Sequence, residues 1–380
     1  MNNTTPKNFL PGTHPDWPPP VSTRGLLAWA RINLFSSPLN TVLTIMSFLL
    51  LWSIIPPFFE WSVTNSIFTA DSRIQCWDQM AAPGAGACWA FIDDRLALFT
   101  YGFYPEPLRW RVDLSFVLLI LAIIPVLYEK MPGRKYGLWY SAIFPFITGW
   151  LLVGGEVNGF GFEPVDTDQF GGILLTLILG VTGISFSLPI GIALALGRQS
   201  KLPVLRIMCV LFIEFIRGVP LITLLFVAST MLAYFLPPGT TFDILLRVLI
   251  MVTLFASAYM AEVIRGGLQA ISKGQHEAGD SLGLTYWQAN RLIVLPQALK
   301  ISIPGIVNTF IGLYKDTTLV LIIGMFDMLG IGQASLADIN WAGLSNEVYL
   351  FVALFFFVSC FGMARYSLSL ERKLQTGHKS

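Results

Sequence analysis

Long apolar runs alternate with short polar connections along most of this chain. Eight runs are long enough for a helix that crosses a hydrocarbon core of about 30 Å, which takes about 20 residues. Backbone groups left unpaired in hydrocarbon are costly, so these runs are expected to be helical. The predicted spans are 39–59, 113–129, 136–154, 171–196, 207–236, 244–264, 302–324 and 346–369.

Composition agrees with an all-α polytopic membrane protein. Of the 380 residues, 54% are hydrophobic and 12% are charged, whereas soluble domains carry about 25% charged residues. The net charge of +1 gives no basic excess, so no nucleic-acid partner is expected. The amphipathic stretch 22–37 is typical of an interfacial helix, with a helix docked on protein as the alternative.

The distribution of Lys and Arg predicts the topology. With the N-terminus in the cytoplasm, 17 of the 24 basic residues fall in cytoplasmic segments and four fall outside. Because basic residues concentrate in cytoplasmic loops, both termini are expected there. The four outside residues lie in one long loop, 60–112, which is therefore predicted to be periplasmic.

Four cysteines are present, and two of them lie in this long loop. In an oxidising compartment a disulfide between Cys76 and Cys88 would restrain the loop, whereas the alternative is two free thiols. Cys209 and Cys360 fall in predicted spans, where they are expected to pack as small apolar side chains.

Signatures of catalysis are missing from the sequence. It contains no G-x-x-x-x-G-K-[ST] phosphate loop, no Cys/His spacing typical of a metal site, no G-x-S-x-G and no H-E-x-x-H. The chain is therefore not expected to be an enzyme, to bind a metal or to bind a cofactor of its own.

The polar segment 265–301 is the longest predicted cytoplasmic loop between spans. Ser272 and Gln275 match a capping box, which predicts a helix from Lys273. Beyond it, a leucine-rich stripe interrupted by Pro296 leads back towards the membrane. A short helix parallel to the membrane, offering a face to a cytoplasmic partner, fits this pattern; a solvated linker helix is the alternative.

Five residues of this segment carry the docking interpretation. Ala278 and Gly279 are small enough to let another backbone approach closely. Leu282 lies one turn after Ala278 on the same face, and Gly283 supplies a left-handed stop. Glu277 lies near the helix N-terminus, where a negative charge is favourable.

Charged residues inside predicted spans give a first candidate for a substrate path, because a charge at the bilayer centre costs about 2.5–3.5 kcal/mol. In EFIRGVP, Glu214 lies one turn from Arg217 and is expected to pair with it. Gly218 and Pro220 weaken the helix, which is tolerated where a helix lines a cavity.

Lys315, Asp316 and Thr317, followed by Thr318, form a second candidate cluster, near the middle of span 302–324. The two clusters are expected to meet across one cavity and to offer both charge signs to a zwitterionic solute. Salt bridges that only hold helices together are the alternative for both.

The spacing in 276–296, HEAGDSLGLTYWQANRLIVLP, resembles the EAA loop of ABC importer permeases. Glu277, Ala278 and Gly279 precede three residues, Gly283, nine residues and an I-x-L-P that ends at Pro296. Gly279 stands where the pattern has a second alanine. SAYMAEVIRGGLQAISKGQHEAG and YKDTTLVLIIG are similar to histidine and glutamine permeases of the polar amino-acid subgroup. With the N-terminal WARINLFSS and the cysteine-bearing loop, the chain resembles the M-type permease subunit of general L-amino-acid transporters.

This resemblance implies a five-span permease core at 171–370 with its coupling loop at 265–301. Three additional spans with the periplasmic loop occupy 39–170, a cytoplasmic tail with the interfacial helix occupies 1–38, and a second cytoplasmic tail occupies 371–380. The implied function is ATP-driven import of polar L-amino acids across the bacterial inner membrane by alternating access.

The resemblance also implies partners. They are a homologous permease forming a heterodimer, two ATPase subunits that bind ATP and Mg²⁺, a periplasmic amino-acid-binding protein, and membrane lipid. The implied contacts with the ATPase are Glu277, Ala278, Gly279, Leu282, Gly283 and Pro296. Two other classes are left open by the residues: a gradient-driven secondary transporter or channel for small polar solutes, and a structural membrane scaffold.

Overall fold

The computed structural model describes residues 25–128, 130–157, 160–231, 234 and 242–375. These residues are predominantly helical, as predicted. The helices are α1 (Gly25–Asn33), α2 (Pro38–Phe59), α3 (Arg73–Asp78), α4 (Ala90–Tyr101), α5 (Arg109–Leu127), α6 (Arg134–Val153), α7 (Gly172–Arg198), α8 (Pro203–Gly218), α9 (Leu221–Phe226), α10 (Ile244–Gln269), α11 (Lys273–Ser281), α12 (Tyr286–Ala289), α13 (Leu295–Asp316), α14 (Met328–Ser335) and α15 (Ser345–Gln375).

Strands β1 (Gly155–Val157) and β2 (Phe160–Phe162) form a small antiparallel hairpin in which Gly155 pairs with Phe162. One-turn π segments follow α2, α9 and α12, at Glu60–Thr64, Val227–Met231 and Asn290–Val294. Short 3₁₀ turns complete the described connections, at Glu106–Leu108, Thr167–Gln169, Thr317–Ile323 and Ile339–Trp341.

Among the described residues, seven helical stretches are long and apolar enough to cross a membrane, and the bent pair α8–α9 gives an eighth. Each matches one predicted span, because an unbroken apolar run of this length is a strong local signal. The span predicted at 207–236, with its helix weakened at Gly218 and Pro220, is present as two helices, since the chain bends by 102° between α8 and α9. Pro220 lacks an N–H and forces Val219 into an extended conformation (φ −112°, ψ 133°), which ends α8 at Gly218.

The described residues fall into two compact units. One comprises the chain up to Ile67 together with Met80–Ala87; the other comprises Phe68–Gln79 and the chain from Cys88 onward. In the first unit, α2 has no buried residue. In the second, α5 and α6 belong with the five-span core.

Close packing in the second unit depends on small residues of α7. A Cβ added at Gly180 would lie 2.8 Å from the ring of Tyr314, and one at Gly191 would lie 2.7 Å from the side chain of Met260. Glycine therefore lets α13 and α10 approach α7 along its length. Gly180 and Gly191 thus serve contacts within the chain.

The predicted tails are described only in part. Residues 1–24 and 376–380, which include His14 and His378, lie outside the described residues. The predicted interfacial helix corresponds to α1. At the other end, α15 continues through Gln375, so the segment predicted as a tail from 371 begins as helix.

The loop before α5 carries a disulfide between Cys76 and Cys88, whose Cα atoms lie 6.0 Å apart. Cys88 also donates its backbone N–H to the buried carboxylate of Glu347 at 3.0 Å. Arg95 pairs with Asp338, and the indole of Trp341 donates to Asp94 at 3.1 Å. These contacts fix residues 88–95 on the segment 338–347, which leads into the first turn of α15.

We expect the purified chain to keep Cys76 and Cys88 unreactive towards maleimide until a reductant is added. The paired substitution of both by alanine should lower the free energy of unfolding by about 3 kcal/mol, because the bond limits the unfolded chain. Thermal unfolding in detergent measures this difference. Labelling of both thiols without reductant would contradict the bond.

Asp327, at the start of α14, is fully buried. Its Oδ1 accepts from the N–H of Gly330 at 2.9 Å, while its Oδ2 has no hydrogen-bond partner among the described residues. Burial raises the pKa of Asp327 to about 6, against the smaller opposing effect of the backbone N–H groups of Gly330 and Leu329. The fold therefore favours the protonated acid more than the unfolded chain does.

From this pKa we expect the stability to depend on pH. The folded chain holds the Asp327 proton up to pH 6, whereas the unfolded chain releases it near pH 4, so stability falls as pH rises between these values and is level above. The loss of stability at pH 7 is about 3 kcal/mol at most.

Asp327→Asn keeps the helix cap, so its stability should not depend on pH in this range. Asp327→Ala should lose the cap, which is worth about 1 kcal/mol. Matching pH profiles of melting temperature for wild type and Asp327→Asn would contradict the assignment.

Candidate functional site

Five charged side chains form a network that joins three helices of the core. Glu262 of α10 contacts Arg198 of α7 at 3.3 Å and Arg217 of α8 at 3.5 Å. It also pairs with Arg265 one turn further along α10. Arg198 in turn contacts Glu214 of α8 at 3.0 Å. Glu262 is therefore the centre of this charge network.

The predicted pair between Glu214 and Arg217 is not formed. Glu214 pairs with Arg198 and Arg217 pairs with Glu262, because residues from the neighbouring helices approach α8 on the side that carries both charges. The guanidinium of Arg217 also lies 5.6 Å from the ring centroid of Tyr259. Its Nε atom has no partner among the described residues.

Sequence reasoning did not single out Arg198, Glu262 or Arg265. A signal was available for Glu262, an acid inside predicted span 244–264 with Arg265 three positions later. Such a residue within an apolar helix is itself a candidate for function.

The charge network has three arginines and two glutamates, so one positive charge is left uncompensated. Its side chains retain between 23% and 54% of their exposure, so they line an accessible surface. Glu262 lies seven residues before the end of α10, which corresponds to about 10 Å along the helix. The network is thus close to the end of α10 that leads into the segment 270–285.

The structure does not bring the second cluster to the first. Lys315 and Asp316 form the last turn of α13, and the 3₁₀ turns at Thr317–Ile323 follow. They lie near the far end of the span Tyr286–Ile323 and not in its middle, since the helix before them is longer than predicted. Among the described residues no ion pair joins them to the charge network. Thr317 is buried and donates to the carbonyl of Tyr314 at 2.8 Å.

The helix predicted from Lys273 is present as α11, but its predicted capping box is not. The Ser272 side chain makes no capping hydrogen bond, and the Gln275 side chain instead accepts from Gln297 at 3.0 Å. A capping box occurs one helix later, where Thr285 and Gln288 bond reciprocally at the start of α12. The two helices form a hairpin with a defined cap at its turn.

Gly279 and Gly283 have different roles in this hairpin. Gly279 is buried, and a Cβ at this position would lie 3.3 Å from Cβ of Ala289 and 3.8 Å from Cδ1 of Ile293. Gly279 therefore faces its own chain, contrary to the prediction that it opens a face for another protein. Gly283 has φ +68° with open space around it, and the N–H of Leu284 donates to the Gly279 carbonyl at 3.2 Å, so it provides the predicted left-handed stop.

The outer face of the hairpin is exposed. Glu277 and Ala278 are exposed, and Leu282 and Trp287 keep 75% and 71% of their area. Pro296 is the second residue of α13 and begins that helix without interrupting it, because proline needs no N–H partner in a first turn. The hairpin thus presents an exposed leucine and an exposed tryptophan beside its charged residues.

Taken together, the spans, the broken helix, the charge network and the exposed hairpin define a multi-pass membrane permease. A family model described as "Binding-protein-dependent transport system inner membrane component" matches residues 187–376. The chain belongs to this family, and it is the permease of an ABC import system, with no catalytic activity of its own. The family works with a separate ATPase and a substrate-binding protein, and membership in it does not favour a gradient-driven transporter.

Two relatives extend over nearly the whole chain. "Inner membrane amino-acid ABC transporter permease protein YhdY" of Escherichia coli (strain K12) is 47% identical over 96% of this chain and 97% of its own length. "Glutamate/glutamine/aspartate/asparagine transport system permease protein BztC" of Rhodobacter capsulatus is 45% identical over 95% of this chain and 96% of its own. A solved structure, "Crystal structure of an amino acid ABC transporter with histidines", is similar over 53% of this chain and 92% of that chain, with 29% identity and a TM-score of 0.48.

Proposed function

We propose that this permease imports polar L-amino acids by alternating access. The observation that carries the proposal is its similarity, along nearly its full length, to two relatives named as amino-acid permeases. In the proposed assembly the chain pairs with a homologous permease, two ATPase subunits hold ATP and Mg²⁺, and a periplasmic protein delivers the amino acid. Both termini are cytoplasmic in the proposed orientation, as the distribution of basic residues favours.

The outer face of the α11–α12 hairpin is the proposed contact with the ATPase. Glu277, Ala278 and Leu282 present their side chains outward, while Gly279 fixes the hairpin from within and Gly283 ends α11. A rigid hairpin transmits a displacement of its outer face to α13 and hence to the core. The buried Gly279 contact and the Thr285 cap supply that rigidity.

The charge network is the proposed cytoplasmic gate of the substrate path. While its ion pairs hold, α7, α8 and α10 are joined at one level. Separation of α8 from α10 would release Arg217 from Glu262 and open a path lined by charge. The one uncompensated positive charge suits the carboxylate that every amino acid carries.

The proposed path has a second binding position, formed by Lys315, Asp316 and Thr317. Lys315 is exposed and Asp316 follows it, so both signs are offered at the opposite end of the path. Between this position and the charge network, Gly218 and Pro220 break the helix. The break lets α8 and α9 move separately.

Reconstitution tests the proposal directly. The chain is purified with its co-expressed partners, placed in liposomes, and supplied with the binding protein and single amino acids. We expect polar L-amino acids to stimulate an ATPase activity that vanadate inhibits, and uptake to require the ATPase subunits. Uptake by the permease chains alone, driven by an ion gradient, would overturn it.

A further inference from the structure

A long apolar groove separates the α5–α6 hairpin from α7 and α10. Its volume is about 780 Å³, and its walls are aromatic and aliphatic side chains that include Phe116, Phe146, Phe186 and Leu249. Phe146 and Phe186 meet edge to face across it at 5.7 Å. Each of the four helices is a candidate membrane span, so the groove lies within the bilayer.

Few polar atoms are available inside the groove. The hydroxyls of Ser115 and Thr148 donate to the carbonyls of Val112 and Phe144 in their own helices, and that of Thr167 donates to Asp243. Thr182 and Thr253 also line the groove, among a majority of apolar side chains. Apolar cavities of this kind stay dry and bind hydrocarbon. The predominantly apolar lining of the groove therefore suits a hydrocarbon occupant.

The length and the polarity of the groove indicate how a lipid would lie in it. The groove extends for about 16 Å along α10, from Asp243 to Leu254, and for about 24 Å along α7, from Leu174 to Ile190, so it covers at least one leaflet of a hydrocarbon core of about 30 Å. Asp243 lines the end where α10 begins and accepts a hydrogen bond from Thr167. Among the described residues that line the groove, Asp243 alone carries a charge.

We propose that this groove binds a phospholipid with an amine headgroup, its acyl chain between α6, α7 and α10 and its ammonium beside Asp243. The negative charge at the mouth favours an ammonium over an anionic headgroup. The lipid would fill the space between the added α5–α6 hairpin and the permease core. In the proposed topology its leaflet is the outer one.

The lining offers a matched pair of variants for a test. Gly149 lines the groove, and a Cβ added there meets nothing within 4 Å. Gly149→Phe should therefore fill the groove without displacing a helix. Gly362 on α15 also has open space around it and lies outside the groove, so Gly362→Phe is the control.

The experiment is native mass spectrometry of the permease complex released from nanodiscs of phosphatidylethanolamine and phosphatidylglycerol. We expect wild type and Gly362→Phe to retain one more phosphatidylethanolamine than Gly149→Phe, and Asp243→Asn to lose the preference for that lipid. Equal lipid retention by wild type and Gly149→Phe would overturn the proposal.

A second measurement avoids the bulky substitution. Gly149→Cys is labelled with a photoactivatable maleimide in the same nanodiscs and illuminated. A covalent adduct with phosphatidylethanolamine supports the proposal. An adduct with another polypeptide of the complex would show that a protein helix occupies the groove and would overturn it.

Discussion

Glu262→Gln should abolish amino-acid uptake and lower the free energy of unfolding by about 2 kcal/mol. The substitution removes the carboxylate that Arg198, Arg217 and Arg265 share, and three guanidinium groups then repel one another within a membrane-embedded helix cluster. Removing one partner of a fully buried ion pair costs about 3–5 kcal/mol. The expected cost of removing the Glu262 carboxylate is smaller, because about a quarter of this side chain is exposed.

The measurements are uptake in proteoliposomes, ATPase activity and thermal unfolding of the same preparation. Asp338→Asn is the matched control, because it removes one carboxylate from the Arg95 pair with similar side-chain exposure and leaves an amide that can still accept from the N–H of Asn340. This control should transport normally. Normal uptake by Glu262→Gln would show that the charge network is not a gate and at most holds the helices together.

A second comparison separates gating from stability. Arg265→Gln removes the partner within α10, whereas Arg217→Gln removes the ion pair that, among the described residues, alone joins α8 to Glu262. If the network is a gate, Arg217→Gln should raise the ATPase activity measured without substrate by several fold, while Arg265→Gln should change it little. Equal basal ATPase activity in both variants would contradict the gate.

The membrane spans were predictable because each depends on a local property, an apolar run of about 20 residues. The break in the span 207–236 was visible as Gly218 and Pro220, whose effect on the backbone is also local. The direction of the bend was not predictable, since the packing of α8 against α7 and α10 decides it. For the same reason the sequence could place Glu214 and Arg217 in one helix but could not show their partners on two others.

The capping box shows that a local pattern does not decide by itself which helix cap forms. Both Ser272-Lys-Gly-Gln275 and Thr285-Tyr-Trp-Gln288 satisfy the local pattern. Only the second forms, because the side chain of Gln275 bonds to Gln297 of α13 instead. A contact 22 positions away thus decided between two motifs that the sequence could not distinguish.

The hairpin geometry also answers why glycine stands at 279. Its missing Cβ would lie 3.3 Å from Cβ of Ala289, so an alanine requires a shift of a few tenths of an ångström. We expect Gly279→Ala to be tolerated, with uptake within about twofold of wild type. Inserting a methyl group into a packed site costs about 1–3 kcal/mol, and the preference of a helix for alanine over glycine offsets about 1 kcal/mol of that cost. Gly279→Leu introduces a larger side chain, which should separate α11 from α12 and reduce transport strongly. Amino-acid uptake measured for both variants tests this difference.

Glu277→Lys should uncouple the ATPase from transport without unfolding the permease. The Glu277 carboxylate is exposed and makes no ion pair among the described residues, so reversing its charge leaves the internal contacts of α11 in place. Across an interface, reversal brings a like charge to the partner group and costs at least about 1.4 kcal/mol, or tenfold in affinity. We expect uptake and substrate-stimulated ATPase activity to fall together by tenfold or more, with unchanged melting temperature.

Asp78→Lys is the matched control for this prediction, because Asp78 is also an exposed carboxylate near a helix end but belongs to the disulfide-bonded loop. It makes the same change in net charge and should transport normally. Gly283→Leu is a weaker test, since φ +68° strains any other residue and a loss of uptake would follow from distortion of α11 alone. Glu277→Lys alters only the outer face, so full uptake by this variant would remove the hairpin from the path between ATP hydrolysis and the gate.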